Sequence, residues 1–196
     1  MRIGIVSDTH DDLAAVEAAV TLFEREGVDV VVHCGDFVAP FSVTPFDVGT
    51  GPDADDGRDA GGGSDAGFEF YAVRGNNDGE WAVQSTVESF GTYLGEAGTI
   101  SFGGRDGDEA ADGDPAPDAV DVAVTHGTSG VVVDALVDCG DYDYVFHGHS
   151  HEFVHEQRGE TTLLNPGGIA IDAAPDAPYA VVLHTETDEI DRHELR

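Results

Sequence analysis

The sequence predicts an α/β fold, a layered sandwich of two mixed β-sheets flanked by helices. Three observations predict it. Buried apolar strands alternate with segments of helical period over the first two-thirds of the chain, which is typical of parallel strand–helix–strand units. The last third changes to short, closely spaced strands, which are typical of antiparallel hairpins. The length of 196 residues corresponds to one domain, so residues 1–196 are assigned to a single unit.

The first strand–helix–strand unit is the clearest. An apolar strand over residues 2–7 is followed by a helical pattern over 12–26 and by a second strand over 28–34. Asp11 or Asp12 is a suitable N-cap for the helix, and Gly27 is a suitable C-terminal stop.

The remaining elements follow the same logic as far as residue 147. We predict a strand at 68–73, a helix at 79–89, a hairpin at 92–103, a strand at 119–125, a helix at 131–137 and a strand at 142–147. The final strands are predicted at 152–157, 161–164, 179–185 and 189–194.

Two acidic stretches interrupt this pattern. Residues 49–67 and 105–118 are rich in Gly, Asp, Ala and Pro, a composition that predicts flexible surface loops. Calcium binding by the first stretch is the alternative, but its carboxylates lack EF-hand spacing.

The charge is extreme. Forty acidic residues face eight basic ones, all of them Arg, which gives a formal net charge of −32. Spread over the expected surface, these charges lie about 17 Å apart, beyond the screening length of about 10 Å at 0.1 M salt. This surface resembles that of proteins from salt-accumulating halophiles; the alternative is an acidic protein that binds basic partners. Either way, the charge argues against a broad nucleic-acid footprint.

The sequence shows no long apolar run and no basic leader followed by an apolar segment. We therefore expect neither a membrane span nor a signal peptide, and we expect a cytoplasmic protein.

Five short polar motifs follow predicted strands. They are Asp8-Thr9-His10, Gly35-Asp36, Gly75-Asn76-Asn77-Asp78, Thr125-His126-Gly127 and Gly148-His149-Ser150-His151. Loops at the carboxyl ends of strands in an open α/β sheet converge on one crevice, so these side chains are expected to meet. Carboxylate, imidazole and amide donors without thiolates suit Mn, Fe, Co, Ni or Zn.

The order of these motifs, D-x-H, G-D, G-N-x-D, H-G and G-H-x-H, resembles the calcineurin-like metallophosphoesterase superfamily. The turn at residues 165–167 and the run at residues 75–80 make the chain similar to the small bacterial and archaeal phosphodiesterases within it. The resemblance begins at Ile3 and continues nearly to the C-terminus, with the two acidic stretches outside it.

The resemblance implies two divalent ions about 3.5–4 Å apart, with manganese expected first and nickel, iron, cobalt or zinc as alternatives. Asp8, His10 and His151 would hold the first ion. Asn76, His126 and His149 would hold the second, and Asp36 would bridge both. A water shared by the ions would become a hydroxide that attacks phosphorus in line, on a small phosphodiester or phosphate ester.

The candidate catalytic residues are Asp36, Asn76, Arg74 and Asp78. Arg74 could pair with a non-bridging phosphate oxygen or simply neutralise nearby carboxylates. We expect Asp78 to support a metal-bound histidine. Many relatives carry a histidine acid where this chain has Asn77, so we expect diesters or activated esters to be preferred over monoesters with poor leaving groups.

Two other functions remain open at this stage. The fold could serve as a non-catalytic interaction module, as in one eukaryotic membrane-trafficking subunit, or the protein could be a nuclease. The sequence leaves open the physiological substrate, the native metal, the oligomeric state and any replacement for the missing acid.

Overall fold

The computed structural model describes residues 1–49, 67–103, 119–168 and 178–195. The two predicted acidic loops lie almost entirely outside these ranges, and the assignment of the whole chain to one domain stays a prediction. The helices are α1 (Leu13–Glu26), α2 (Glu80–Val87) and α3 (Gly130–Asp138), and short 3₁₀ turns span Pro40–Ser42 and Thr44–Phe46. The strands are β1 (Arg2–Val6), β2 (Val30–His33), β3 (Glu69–Ala72), β4 (Thr92–Tyr93), β5 (Ala97–Phe102), β6 (Val120–Thr125), β7 (Tyr144–Phe146), β8 (Val154–Arg158), β9 (Thr161–Asn165), β10 (Tyr179–His184) and β11 (Glu189–Glu194).

These strands form two mixed sheets. The first sheet has the order β11-β10-β1-β2-β3-β4, and the second has the order β5-β6-β7-β9-β8. Strands β1 to β4 are mutually parallel, as are β6, β7 and β9, whereas β5, β8, β10 and β11 pair antiparallel with their neighbours. The predicted layered sandwich is therefore confirmed.

Alternating side chains sort the core into three layers. Ile3, Ile5 and Phe146 belong to the cluster shared by the two sheets. Val31 packs with Phe23 of α1 on the outer face of the first sheet. Val145 packs with residues of α3 on the outer face of the second sheet. Because strand side chains alternate between faces, each central strand supplies two of these layers at once.

Helix α1 begins and ends as its sequence predicts. The Asp12 carboxylate accepts a hydrogen bond from the Ala15 amide, and Gly27 closes the helix in a left-handed conformation with φ of 60°. Glycine tolerates this conformation without a Cβ clash. The neighbouring Asp11 is then free for another role: its carboxylate accepts bonds from the Ala39 amide and the Ser42 hydroxyl.

The predicted hairpin at 92–103 is wrong. Thr92 pairs in parallel with Tyr71 in the first sheet, whereas Ala97 pairs with Thr125 in the second. The segment between them first continues along β3, where the Leu94 amide bonds the Ala72 carbonyl, and then crosses to the other sheet. The hairpins β8–β9 and β10–β11 in the last third are confirmed.

No helix within the described ranges is long and apolar enough to cross a membrane.

Candidate metal centre

The loops that follow β1, β2, β3, β6 and β7 bring their polar side chains together at the carboxyl ends of the parallel strands. Two compact groups of possible metal ligands form there. One contains Asp8, His10 and His151, and the other contains Asp8, Asp36 and His126. Convergence of the five motifs is what the sequence predicts.

The first group surrounds one carboxylate oxygen. Asp8 Oδ1 lies 3.4 Å from His151 Nε2 and 3.8 Å from His10 Nε2. The two imidazole nitrogens are 3.3 Å apart. Asp8 Oδ1 is buried and has no hydrogen-bond donor among the described residues, which is costly for a carboxylate oxygen. A divalent cation among these three atoms would satisfy it.

The second group is organised by the tautomer of His126. Its Nδ1 lies 2.7 Å from the Cys34 carbonyl oxygen, which can only accept, so Nδ1 carries a proton. In the neutral imidazole, Nε2 then presents its lone pair to the centre, 3.0 Å from Asn76 Oδ1 and 3.5 Å from Asp36 Oδ2. Three acceptor atoms facing one another fit a cation between them.

Asp36, a member of the second group, also reaches the first. Its Oδ2 atom is 3.5 Å from His10 Nε2 and 3.5 Å from His126 Nε2. Asn77 holds this carboxylate from outside: its backbone amide donates to Oδ1 and its side-chain amide donates to Oδ2, each at 2.8 Å. Burial opposes ionisation, but the neighbouring His126 imidazole and the two hydrogen bonds from Asn77 outweigh it and hold the pKa of Asp36 well below its usual range.

Asp8 has the opposite balance. Burial raises the pKa of its carboxyl, and the Ser7 hydrogen bond and the imidazoles of His126 and His151 only partly oppose the rise. Its Oδ2 accepts bonds from the Ser7 hydroxyl at 2.6 Å and the His149 amide at 2.9 Å. A bound cation would stabilise the charged form of this carboxylate.

The backbone at the centre is strained. Asp8, His10, Asp36, His149 and His151 all have positive φ angles, between 42° and 68°. Non-glycine residues adopt this region at a cost and cluster there at functional sites. Five of the seven predicted ligands share this conformation.

Two glycines permit the close approach of the loops. A Cβ on Gly75 would lie 2.0 Å from the Asp36 amide nitrogen, and a Cβ on Gly148 would lie 1.9 Å from Ser7 Oγ. The glycines of the G-N and G-H motifs are therefore required by packing around Asp36 and Asp8.

Two other predicted site residues, His149 and Arg74, lie outside the two compact groups. The His149 ring packs edge-on against His126 with centroids 5.2 Å apart, but it belongs to neither compact group found among the described residues. Arg74 donates to Glu96 Oε1 at 3.0 Å, as in the carboxylate-neutralising alternative. Its contact with a substrate phosphate stays a prediction.

The expectation for Asp78 needs correction. Its two oxygens accept from the backbone amides of Asp36, Phe37, Val38 and Gly75, at 2.6 to 3.2 Å. These four bonds occupy the carboxylate, and no histidine among the described residues is hydrogen-bonded to it. Asp78 therefore positions the backbone of the two ligand-bearing loops instead of supporting an imidazole.

Three contributors escaped the sequence analysis. The missed roles are those of Asn77 on Asp36, Ser7 on Asp8, and Asn165, whose side-chain amide donates to the Gly148 carbonyl at 2.9 Å and to Ser150 Oγ at 3.1 Å. Ser7 and Asn77 lie beside predicted ligands in the sequence, and Asn165 lies at the end of β9, which was the available signal. Their roles could not be predicted, because these contacts depend on how loops distant in sequence meet in the fold.

His33 lies beneath the site as a neutral residue. Its Nδ1 accepts from the Gly35 amide at 3.1 Å, so the proton is on Nε2, 3.2 Å from Thr9 Oγ1. The ring stacks on Phe37 with centroids 3.6 Å apart. Complete burial lowers the pKa of His33 well below its usual value.

The chain is similar to known proteins over most of its length. The profile of the calcineurin-like phosphoesterase superfamily domain matches residues 1–188. A phosphodiesterase of Methanocaldococcus jannaschii is 30% identical over 173 residues, which are 85% of this chain and 83% of the relative. The solved structure of an archaeal phosphodiesterase matches over the full length of both chains, with a TM-score of 0.75 and 28% identity.

More distant structures share the fold. A phosphoesterase from E. coli matches over the full length of both chains with a TM-score of 0.60 and 19% identity. Vps29 of Entamoeba histolytica, solved with zinc, also matches over both full lengths with a TM-score of 0.60, at 14% identity. With the profile spanning nearly the whole chain and its motifs gathered into one donor cluster, this protein belongs to the calcineurin-like phosphoesterase superfamily.

Proposed function

We propose that this protein is a phosphodiesterase with a binuclear metal centre. The observation that carries the proposal is the position of Asp36 Oδ2, equidistant at 3.5 Å from imidazole nitrogens of the two donor groups. A single carboxylate oxygen in that position can bind two cations and offset their repulsion. The phosphodiesterase from Methanocaldococcus jannaschii supports the reaction class.

The ligands divide between two ions. Asp8, His10 and His151 would hold the first ion, Asn76, His126 and His149 would hold the second, and Asp36 would bridge them. Manganese is the metal we propose first, with nickel, iron, cobalt or zinc as alternatives, because carboxylate and amide oxygens combined with imidazoles and no thiolate suit divalent ions of this group.

When bound, the ions supply a nucleophile from water at neutral pH and bind two phosphoryl oxygens. The protein orients the reaction. Hydrogen bonds to Asp36 keep it ionised, the Cys34 carbonyl fixes the His126 tautomer, and Asp78 fixes the loop backbone. The preorganised donors therefore need no rearrangement as charge develops on phosphorus.

The preference for diesters or activated esters follows from Asn77. Its side-chain amide donates a hydrogen bond to Asp36 and is too weak an acid to transfer a proton to a leaving oxygen near neutral pH. Esters whose alcohol departs as a stable anion are therefore favoured over alkyl monoesters.

The test is hydrolysis of bis(p-nitrophenyl) phosphate in molar salt by protein stripped of metal and then reloaded. We expect turnover to return with manganese, to be lost in Asp36→Asn, and to survive in Asp134→Asn, which changes an exposed carboxylate on α3. Absence of metal-stimulated turnover would instead support an interaction module. Anomalous diffraction at the metal edges would count and identify the ions.

The acidic surface supports a working environment of high salt, and we propose the cytoplasm of a salt-accumulating cell as that environment.

A further inference from the structure

A recess lies beside the segments that lead into the Asn76 and His126 loops. It has a volume of about 350 Å³ and is lined by Arg74, Trp81, Gln84, Tyr93, Gly95 and Glu96. We call it the Trp81 recess. Its volume lies in the range of small-molecule sites.

Trp81 is the unusual wall of this recess. It is the single tryptophan of the chain and lies in the first turn of α2 with 76% of its surface exposed. Tryptophan normally has most of its surface buried, so a highly exposed indole at a concave site is available for a ligand. Tyr93, half-buried, supplies a second aromatic side chain.

Two segments link the walls of the recess to residues of the centre. Arg74 immediately precedes Gly75 and Asn76, and its guanidinium bonds Glu96. The Glu96 carbonyl in turn accepts a bond from Thr125 Oγ1 at 3.3 Å, and Thr125 immediately precedes His126. The recess therefore flanks the Asn76 and His126 side of the centre.

The polar groups around the recess are varied. Gln84 offers an amide, Glu96 a carboxylate and Tyr93 a phenolic hydroxyl. Burial, with the nearby Asp78 carboxylate, raises the pKa of Tyr93 to about 12, so its hydroxyl remains a donor at working pH. Arg74 and Glu96 pair with each other, so an uncharged ring that covers them buries no unpaired charge.

We propose that the Trp81 recess binds a nucleobase, carried on the ester group that stays on phosphorus when the leaving group departs. The indole stacks on the base, the surrounding polar groups contact its edge, and the phosphate reaches the metal centre. This inference rests on the proposed function and names its substrate class as nucleoside phosphodiesters.

The first test uses the single tryptophan as its own reporter, in metal-free protein at molar salt. Adenosine should quench the fluorescence excited at 295 nm in a saturable way without shortening the lifetime, whereas ribose should not. Quenching that rises linearly with a shortened lifetime would show only collisions with an exposed indole and would overturn the proposal. If phenol quenches as strongly as adenosine, the polar groups of the recess do not recognise the edge of the base, and that part of the proposal is overturned.

The second test compares two substrates with the same leaving group on the metal-loaded enzyme. Trp81→Ala should raise KM for thymidine 5′-(p-nitrophenyl) phosphate about 10-fold, the order expected for one lost stacking contact, and leave methyl p-nitrophenyl phosphate unchanged. Val131→Ala, which truncates an exposed residue of α3, is the matched control. Equal losses on both substrates, or no loss on either, would overturn the recess assignment.

The two tests separate the recess from the catalyst. Saturable quenching without any metal-stimulated turnover would leave the recess standing and reject the proposed function. If both substrates are turned over and Trp81→Ala changes neither KM, the proposed function stands and the recess assignment is rejected.

Discussion

Asp36 depends on one neighbouring residue for both of its oxygens. Asn77 donates from its backbone to Oδ1 and from its side chain to Oδ2, and it does so from the exposed rim of the centre. The side chain that cannot serve as an acid thus has a structural role toward the bridging carboxylate.

Replacing Asn77 by alanine should weaken metal binding. The variant keeps the backbone bond to Oδ1 and loses the bond to Oδ2, so the carboxylate is less well oriented. A hydrogen bond to a charged group contributes about 1.5 kcal/mol, so we expect roughly 10-fold weaker manganese affinity by calorimetry and a similar loss in kcat/KM. Because the lost bond satisfies a buried carboxylate, the melting temperature of the metal-free variant should also fall slightly, and unaltered metal affinity would contradict this role.

His33 should give the protein a stability that depends on pH. Its pKa is lowered on folding, so the neutral form is favoured in the native state. The stabilisation is complete above the unfolded pKa of about 6.5 and is lost as pH falls below it, at about 1.4 kcal/mol per pH unit.

The measurement is urea unfolding in EDTA at pH 7.5 and 5.5, for wild type and His33→Gln. Glutamine keeps a donor and an acceptor but does not titrate in this range. We expect wild type to lose about 1 kcal/mol more than the variant between the two pH values. Parallel pH profiles would show that His33 takes up no proton on unfolding.

At the scale of elements, the centre is held by hydrogen bonds that join its loops. The Asp78 carboxylate accepts from the loops after β2 and β3, and Gly75 allows these loops to touch. The strained ligand conformations persist because several such contacts determine them together.

Gly75→Ala tests that contact. Its added methyl would lie 2.1 Å from Asp36 Oδ1, so one of the two loops must move. We expect metal binding to be abolished and the free energy of unfolding to fall by about 1–3 kcal/mol, as overpacked sites do. The control is Gly130→Ala at the start of α3, where a Cβ meets nothing within 4 Å. A Gly75→Ala protein that binds manganese normally would show that the loops are not tightly coupled.

Features that depend on residues close together in the sequence could be predicted, whereas those that depend on distant residues could not. Strand–helix periodicity and caps are local, so α1 and its Asp12 cap were predictable, and the motif order was enough to bring Asp8 and Asp36 together. The failed hairpin at 92–103 has a non-local cause, since β4 and β5 choose partners in different sheets. The role of Asp78 was missed for the same reason: its carboxylate bonds amides about 40 residues away.

The whole molecule carries far more negative charge than its cations can balance. Among the described residues, Arg25, Arg74 and Arg158 each pair with surface carboxylates. Exposed pairs of this kind contribute little, about 0–1 kcal/mol each. Stability therefore depends on screening of the remaining carboxylates rather than on ion pairing.

We expect the melting temperature to rise between 0.1 and 3 M potassium chloride. At 0.1 M the screening length is about 10 Å, so carboxylates that lie closer together than this still repel one another in a chain with net charge −32, and at molar salt the length falls to about 3 Å. Differential scanning calorimetry of metal-free protein measures the effect, with sucrose as a control that strengthens apolar burial without screening charge. Because repulsion between carboxylates weakens as they are protonated, the salt-induced rise should shrink as the pH is lowered toward about 4. A melting temperature that stays flat with salt, or that rises equally in sucrose, would show that repulsion does not limit the stability of this fold.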